Sequence, residues 1–136
     1  FFQRENRGGD VGDLERHARL AAGEGEHARA AALYAKAARR GNVAYFRYRQ
    51  GGEWMRLEQY ADAEAAYRDV LARAPATPNA RLNLALAVLK QGRREEAREL
   101  YRAFAADPAS AALPELAARA GLAAELIERQ LALDRE

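Results

Sequence analysis

The sequence predicts an all-α fold built from three stacked helix hairpins and a final helix. An Ala-x-x-x-Tyr pair recurs three times, at spacings of 33 and 34 residues: Ala30/Tyr34, Ala63/Tyr67 and Ala97/Tyr101. Alanine dominates the hydrophobic fraction of 49%, and aromatic residues supply only 8%. This composition favours helices packed through small side chains over a sheet sandwich. A fixed period of this length indicates that each repeat is one helix hairpin.

Turn signals separate the predicted helices. Gly, Asn and Pro residues cluster at 23–25, 41–42, 75–78, 91–92 and 107–108, where they interrupt helical patterns. The helices are predicted at residues 12–22, 26–40, 43–57, 60–73, 78–91, 94–106 and 114–133.

Small residues lie where two helices of a hairpin must approach closely. On the first helices they are Ala18, Gly51 and Ala85, and on the second helices Ala30, Ala63 and Ala97. The three repeated tyrosines are expected to fill the wider part of each hairpin.

The last helix carries two apolar strips. One follows steps of three and four residues and suits a cap on the third hairpin: Leu116, Ala120, Ala123, Ile127 and Leu131. The other strip is Leu122, Leu126 and Leu133. Either this second strip contacts a partner or another subunit, or Gly121 bends the helix so that both strips pack internally.

Length, charge and cysteine content narrow the function classes. The 136 residues suffice for about one domain. The formal net charge of +2 does not imply nucleic acid, and the absence of cysteine excludes disulfides and thiol chemistry. No apolar run is long enough to span a membrane. Phe1-Phe2 before a charged stretch is read either as the exit of an upstream anchor or as a plain segment boundary, so the compartment stays open.

The repeats resemble the tetratricopeptide repeat. In the second unit, Gly51-x-x-Trp54 precedes Ala63 by twelve residues, and Pro75 closes the unit. In the third, Leu84-Ala85-x-x-Val88 precedes Ala97, and Pro108 follows. The sequence departs from the family pattern on the first helices. The positions of the family's Trp hold Leu14, Arg47 and Arg81. The positions of its Leu hold His17, Gln50 and Leu84, so only the third unit keeps that Leu.

The resemblance implies a right-handed α-solenoid of three antiparallel helix hairpins plus a C-terminal capping helix. The repeats are expected at about 11–43, 44–77 and 78–109, with a flanking segment at 1–10 and the cap at 110–136. The helix end at 34–42 also resembles a Sel1-like repeat, whose longer unit fits the observed spacing less well.

Catalysis is not expected. The chain has one Ser, Ser110, and one Thr, Thr77, both beside prolines in predicted loops, so an activated nucleophile has almost no place. His17 is expected to be a partly buried helix-pairing residue and His27 a surface or cap-region residue, and their spacing matches no metal motif. No cofactor and no metal are predicted. Trp54 is interpreted as a core residue, with an exposed ligand anchor as the alternative.

The predicted function is a noncatalytic scaffold or adaptor that holds a peptide or protein partner. Such arrays bind partners on the concave side, which the first helix of each hairpin lines. The candidate groove residues are Arg16, Arg19, Tyr45, Tyr48, Arg49, Arg56, Asn79, Asn83, Leu86 and Lys90. Because basic residues outnumber Glu15 there and aromatic residues form a floor, an acidic segment with an apolar anchor is the expected ligand.

Some tetratricopeptide domains hold chaperone tails by their terminal carboxylate. Here the matching positions are Glu15, Arg19, Arg49, Asn79 and Asn83. An acidic residue replaces the first lysine of that clamp and the other types are permuted, so this function is not predicted.

Two contexts remain open for such a module. Heavy use of Ala, Arg and Leu is typical of high-GC bacteria, where similar repeats are common in secretion, pilus and polysaccharide-export assemblies. The rival to the adaptor is a structural spacer or dimerisation module of a larger chain.

Overall fold

A computed structural model describes residues 10–136, which contain seven α-helices, one 3-10 turn and no strand. The helices are α1 (Val11–Gly23), α2 (His27–Ala38), α3 (Val43–Arg56), α4 (Tyr60–Arg73), α5 (Pro78–Lys90), α6 (Arg94–Ala106) and α7 (Pro114–Asp134). All seven agree with the sequence-based bounds to within two residues. The 3-10 turn, Pro108–Ala112, was not predicted. The predicted Phe1-Phe2 anchor exit and nearly all of the 1–10 flank lie outside the described residues.

The helices form two compact units, the first ending at Pro75 and the second spanning Ala76–Glu136. In the first unit, consecutive helices from α1 to α4 pack against one another. Its N-terminal core is one cluster of small, aliphatic and aromatic side chains: Leu14, Ala18, Ala21, Ala30, Tyr34, Ala37 and Phe46. The predicted alanines therefore lie in the interior, where they let the helices approach.

Gly51 of α3 lies close to a side chain of α4. A Cβ atom at this position would lie 2.8 Å from Cε1 of Tyr67 and 2.9 Å from Cζ. Tyr67 is buried, and its ring also contacts Tyr48, with 5.9 Å between the ring centroids. The repeat alignment predicts a small residue at this position, and the contact with the Tyr67 ring favours glycine.

Left-handed residues form the turns of the first unit. Gly25 has φ 81°, Gly41 has φ 138° and Asn42 has φ 48°. Glycine and asparagine tolerate positive φ better than other residues. The Gly41-Asn42 pair ends the first hairpin at the place where the later repeats have proline.

His27 and Glu53 connect α2 to α3. The His27 Nδ1 atom lies 2.7 Å from Oε1 of Glu53, whose side chain is only 7% exposed. The prediction for His17 was wrong, since its side chain is exposed, whereas His27 lies at the start of α2, in the cap region, and is half-buried. The sequence pattern did not reveal that the buried Glu53 pairs with His27.

In the second unit, α6 packs against both α5 and α7. The predicted small residues Ala85 and Ala97 are buried, and so are Tyr101 and Phe104. Asp107 caps the 3-10 turn by accepting a hydrogen bond of 2.9 Å from the backbone N–H of Ala109.

One strip of α7 forms the hydrophobic side of the cap. Its buried residues are Ala120, Ala124, Ile127 and Leu131. The prediction named Ala123 in place of Ala124, and Ala123 is half-buried. Gly121 faces α6, because a Cβ atom there would lie 3.9 Å from Cβ of Ala105.

Arginines bind α7 to α6 through Glu128. Its carboxylate receives hydrogen bonds from Arg98 at 2.6 Å and from Arg135 at 3.1 Å, and Arg102 lies 3.5 Å away. The bonds from Arg98 and then Arg135 hold the pKa of Glu128 below its usual value. These interactions connect α7 to α6 in the second unit.

Candidate peptide-binding surface

Four residues of α3 lie in a row on its outer side. Tyr45, Arg49, Gly52 and Arg56 follow steps of four, three and four residues, which place them on one helix face. The first three are half-buried and Arg56 is exposed. We call these four residues the α3 row.

The α3 row is connected to α1 at its Tyr45 end. The Tyr45 hydroxyl donates a hydrogen bond of 2.7 Å to Oε2 of Glu15. Arg19 donates to the same carboxylate oxygen at 2.7 Å and to the Tyr45 hydroxyl at 3.2 Å. The hydrogen bond to Tyr45 and the charge of Glu15 raise the pKa of Arg19. The structure thus brings the predicted residues Arg19 and Tyr45 together on one surface of the first unit.

Arg49 lies over a buried tyrosine. Its guanidinium carbon is 5.7 Å from the centroid of the Tyr34 ring, within the range of a cation–π interaction. The Tyr34 hydroxyl is near enough to raise the pKa of Arg49, but it has no partner in hydrogen-bond geometry among the described residues. Tyr48 rests against Tyr67. The predicted groove residues Arg49 and Tyr48 therefore each contact a buried tyrosine of the core.

The basic residues of this surface differ in whether they are neutralised. Arg16 pairs with Asp13, and Arg19 pairs with Glu15. By contrast, Arg49 and Arg56 form no ion pair with any residue that the structure describes. The uncompensated positive charge of the surface therefore belongs to the α3 row.

Two features of the first unit were missed by the sequence analysis. Leu20 on α1 is 58% exposed and borders an open cavity of about 380 Å³. The cavity is also lined by Gly12, Glu15, Arg16 and Arg19. The helical pattern of α1 contained the signal, because Leu20 lies off the stripe formed by the buried residues of that helix.

The remaining predicted groove residues lie on α5 of the second unit. Asn79, Asn83, Leu86 and Lys90 repeat the spacing of the α3 row. Asn79 and Lys90 are exposed, and the two residues between them are half-buried. On another face of α5, Arg81 pairs with Asp107 at 2.7 Å.

The second strip of α7 is exposed. The exposed fractions are 57% for Leu122, 53% for Leu126 and 60% for Leu133. The alternative in which Gly121 lets both strips pack internally is therefore wrong for the described part of the chain. Contact of this strip with a partner or another subunit stays a prediction.

Among residues 10–136, no group of three or more His, Cys, Asp or Glu side chains is placed to hold a metal ion. None of the described helices is both long and apolar enough to cross a membrane. Trp54, interpreted above as a core residue, is half-buried.

Comparison with known proteins finds a family match over part of the chain. Residues 48–112 match the sequence model of the tetratricopeptide repeat family. A solved structure titled "MamA RS-1 ArsTM double mutant" superposes with a TM-score of 0.64 at 21% sequence identity. The match covers 93% of this chain and 80% of that one. No curated protein matched the chain.

These matches confirm the predicted family resemblance and the all-α helical-repeat fold class. Within residues 48–112 the chain is similar to the tetratricopeptide repeat, a type of module that mediates protein–protein interaction. The boundaries proposed for the individual repeats and the groove residues stay predictions.

Proposed function

We propose that this chain is a noncatalytic adaptor that binds an acidic peptide segment with an apolar anchor on the α1–α3 surface of its first unit. The observation that carries the proposal is the α3 row. Arg49 and Arg56, which form no ion pair with any described residue, share one helix face with the half-buried Tyr45, which precedes Arg49 by one helical turn. A negatively charged segment complements this arrangement.

The energetics assign different roles to the two kinds of contact. An exposed ion pair contributes only about 0–1 kcal/mol, so two arginines cannot supply useful affinity alone. Aromatic side chains are frequent energetic centres of interfaces, and Tyr45 and Tyr48 lie on the same surface. We assign affinity chiefly to the apolar anchor, and encounter rate and partner choice to the charges.

The proposal extends the same role to the second unit. Taken by itself, α5 offers a peptide segment the amide groups of Asn79 and Asn83, the apolar side chain of Leu86 and the charge of Lys90. The composition, rich in Ala, Arg and Leu, supports a bacterial secretion, pilus or polysaccharide-export assembly as the setting.

A peptide selection tests this function. Random twelve-residue peptides displayed on phage are panned against the immobilised chain, and selected peptides are measured by fluorescence anisotropy at several salt concentrations. We expect sequences that combine acidic and large apolar residues. Arg49→Glu should weaken their binding at least about tenfold and flatten the salt dependence. Arg40→Glu makes the same charge change in the α2–α3 turn and should leave binding unchanged.

Two outcomes would contradict the assignment. If neither Arg49→Glu nor Tyr48→Ala alters binding of the selected peptides, the α1–α3 surface is not the site. If Arg49→Glu unfolds the chain, the register that places this residue on the outer face is wrong. Circular dichroism of each variant separates the two cases.

A second candidate function is dimerisation, and the exposed strip of Leu122, Leu126 and Leu133 favours it. Contiguous exposed apolar residues often mark interaction sites. Sedimentation equilibrium of the Leu122→Glu/Leu126→Glu variant tests this function. Loss of an oligomer present in the wild type supports it, and an unchanged monomer with unchanged peptide binding excludes it. Ala103→Glu/Ala106→Glu on α6 adds the same charge elsewhere in the second unit.

A further inference from the structure

Two adjacent glycines in the middle of α3 differ in their surroundings. Gly51 is required by the fold, because a Cβ atom there would collide with the Tyr67 ring. A Cβ atom on Gly52 would meet nothing within 4 Å. Glycine destabilises a helix interior more than any residue except proline. The packing of α3 therefore explains the first glycine and leaves the second unexplained.

The repeat period shows which residues occupy the position of Gly52 in the other repeats. One period before Gly52 lies Arg19, and one period after it lies Leu86, so long side chains occupy the same position of the other first helices. The absence of a side chain is thus a property of α3 alone. It leaves the helix backbone uncovered on the outer face of the first unit.

Gly52 also lies between the two arginines that form no ion pair with any described residue. Arg49 precedes it by three positions, and Arg56 follows it by four. Seven residues of α-helix span about 10.5 Å. The uncovered backbone is therefore a gap in the α3 row with a positive charge on each side and an aromatic residue, Tyr45, beyond Arg49.

We propose that the backbone of the bound peptide runs along α3 and passes over Gly52, with one acidic side chain directed to Arg49 and a second to Arg56. This inference rests on the adaptor function proposed above and adds the geometry of its ligand. The two acidic groups must lie about 10 Å apart on one side of the peptide to match seven residues of helix.

A polyproline II segment meets this requirement. It has three residues per turn and a rise of about 3.1 Å per residue. Acidic residues three positions apart therefore project to the same side, about 9 Å from each other. Side chains of a fully extended strand alternate between faces, so the same spacing there would direct the two charges in opposite directions. A Glu-Pro-Pro-Glu sequence between leucines is the simplest peptide of this kind.

The test measures binding of fluorescein-labelled Leu-Glu-Pro-Pro-Glu-Leu by anisotropy, with Leu-Gln-Pro-Pro-Gln-Leu as the control peptide. We expect Gly52→Gln to weaken binding at least about tenfold without lowering the melting temperature. Arg49→Gln and Arg56→Gln should each weaken binding by up to about fivefold. Ala65→Gln adds the same side chain on an exposed position of α4 and should change nothing.

A second variant, Gly52→Ala, separates an effect on binding from an effect on folding. Gly52→Ala fills open space and improves helix propensity, so it should raise the melting temperature by about 3 °C or more while weakening binding less than Gly52→Gln. Wild-type binding by Gly52→Gln, or unfolding of that variant, would overturn the inference. Failure of the glutamate peptide to bind the wild type would also overturn it. The adaptor function is tested separately by the selected peptides and Arg49→Glu.

Discussion

Replacement of Gly51 by alanine probes the packing that positions the candidate surface. In most helices this change is stabilising, because alanine has the best helix propensity and glycine costs about 1 kcal/mol more. Here the new methyl group would lie 2.8 Å and 2.9 Å from two carbons of the Tyr67 ring. The new methyl group therefore has two opposing effects on stability: it improves helix propensity, and it clashes with the Tyr67 ring.

The steric effect is expected to be larger. Carbon atoms prefer separations of about 3.5–4.0 Å, so the ring must retreat by roughly 0.7 Å or more. Tyr67 is 1% exposed and also packs against Tyr48, which limits this movement. Overpacking of a core costs about 1–3 kcal/mol. After the gain in helix propensity is subtracted, Gly51→Ala should lower the free energy of unfolding by up to about 2 kcal/mol.

Urea denaturation followed by fluorescence measures this change. Trp54 is the single tryptophan of the chain and lies one helical turn from Gly51, so its emission reports on the first unit. Gly52→Ala is the matched control, since a methyl group there meets nothing within 4 Å. The adjacent substitutions should move the urea midpoint in opposite directions.

The reasoning is refuted if Gly51→Ala is as stable as the wild type or more stable. A double-mutant cycle with Tyr67→Leu identifies the cause. In that background the shorter side chain leaves space for the methyl group, so Gly51→Ala should no longer destabilise. If the destabilisation persists, contact with Tyr67 is not its origin.

Three other predictions follow from the described side chains. His27→Ala removes the partner of the buried Glu53 and should lower the free energy of unfolding, measured by urea denaturation, by about 1–3 kcal/mol. His17 is exposed, so His17→Ala should change the free energy of unfolding by less than about 0.5 kcal/mol. Equal effects of the two substitutions would contradict the His27–Glu53 pairing. Tyr34→Phe removes a buried hydroxyl without a partner among the described residues and should be nearly neutral, so a loss above about 1 kcal/mol would reveal a hydrogen bond. Folding lowers the pKa values of Asp107, through Ala109 and Arg81, and of Glu128. The stabilisation from these two carboxylates is fully present above their unfolded-state pKa values and is lost as the pH falls through their lower folded-state pKa values. The melting temperature should therefore decrease below about pH 4. An equally steep decrease of the melting temperature at acid pH in Asp107→Asn/Glu128→Gln would argue against this origin.

The helices could be predicted well because local signals determine them. The turns at Gly41-Asn42 and at Pro75 interrupt helical patterns in the sequence itself. The recurring alanines and tyrosines then fixed the inner face of each helix, because helical spacing places residues three and four apart on one side. The 3-10 turn was missed, since Asp107 stabilises it through a single side-chain cap that the periodic pattern does not contain.

The candidate surface could be predicted only in part. Helical spacing gives the residues of a face but not their partners, so Arg19 and Arg49 looked equivalent in the sequence. In the structure one is neutralised by Glu15 and the other lies over Tyr34. The repeat alignment assigned close packing to Gly51 but gave no role to Gly52, and the structure shows that a Cβ atom on Gly52 would meet nothing within 4 Å.

The most direct test of the central claim is a map of peptide binding on the chain by nuclear magnetic resonance. An acidic, apolar peptide from the phage selection is titrated into the ¹⁵N-labelled protein, and backbone amide shifts are followed. The account predicts the largest changes at Arg49, Gly52 and Arg56 of α3 and at Arg19 of α1, with little change on α2 and α4. Shifts confined to the Leu122–Leu126 side of α7, or no saturable shifts on the first unit, would contradict it.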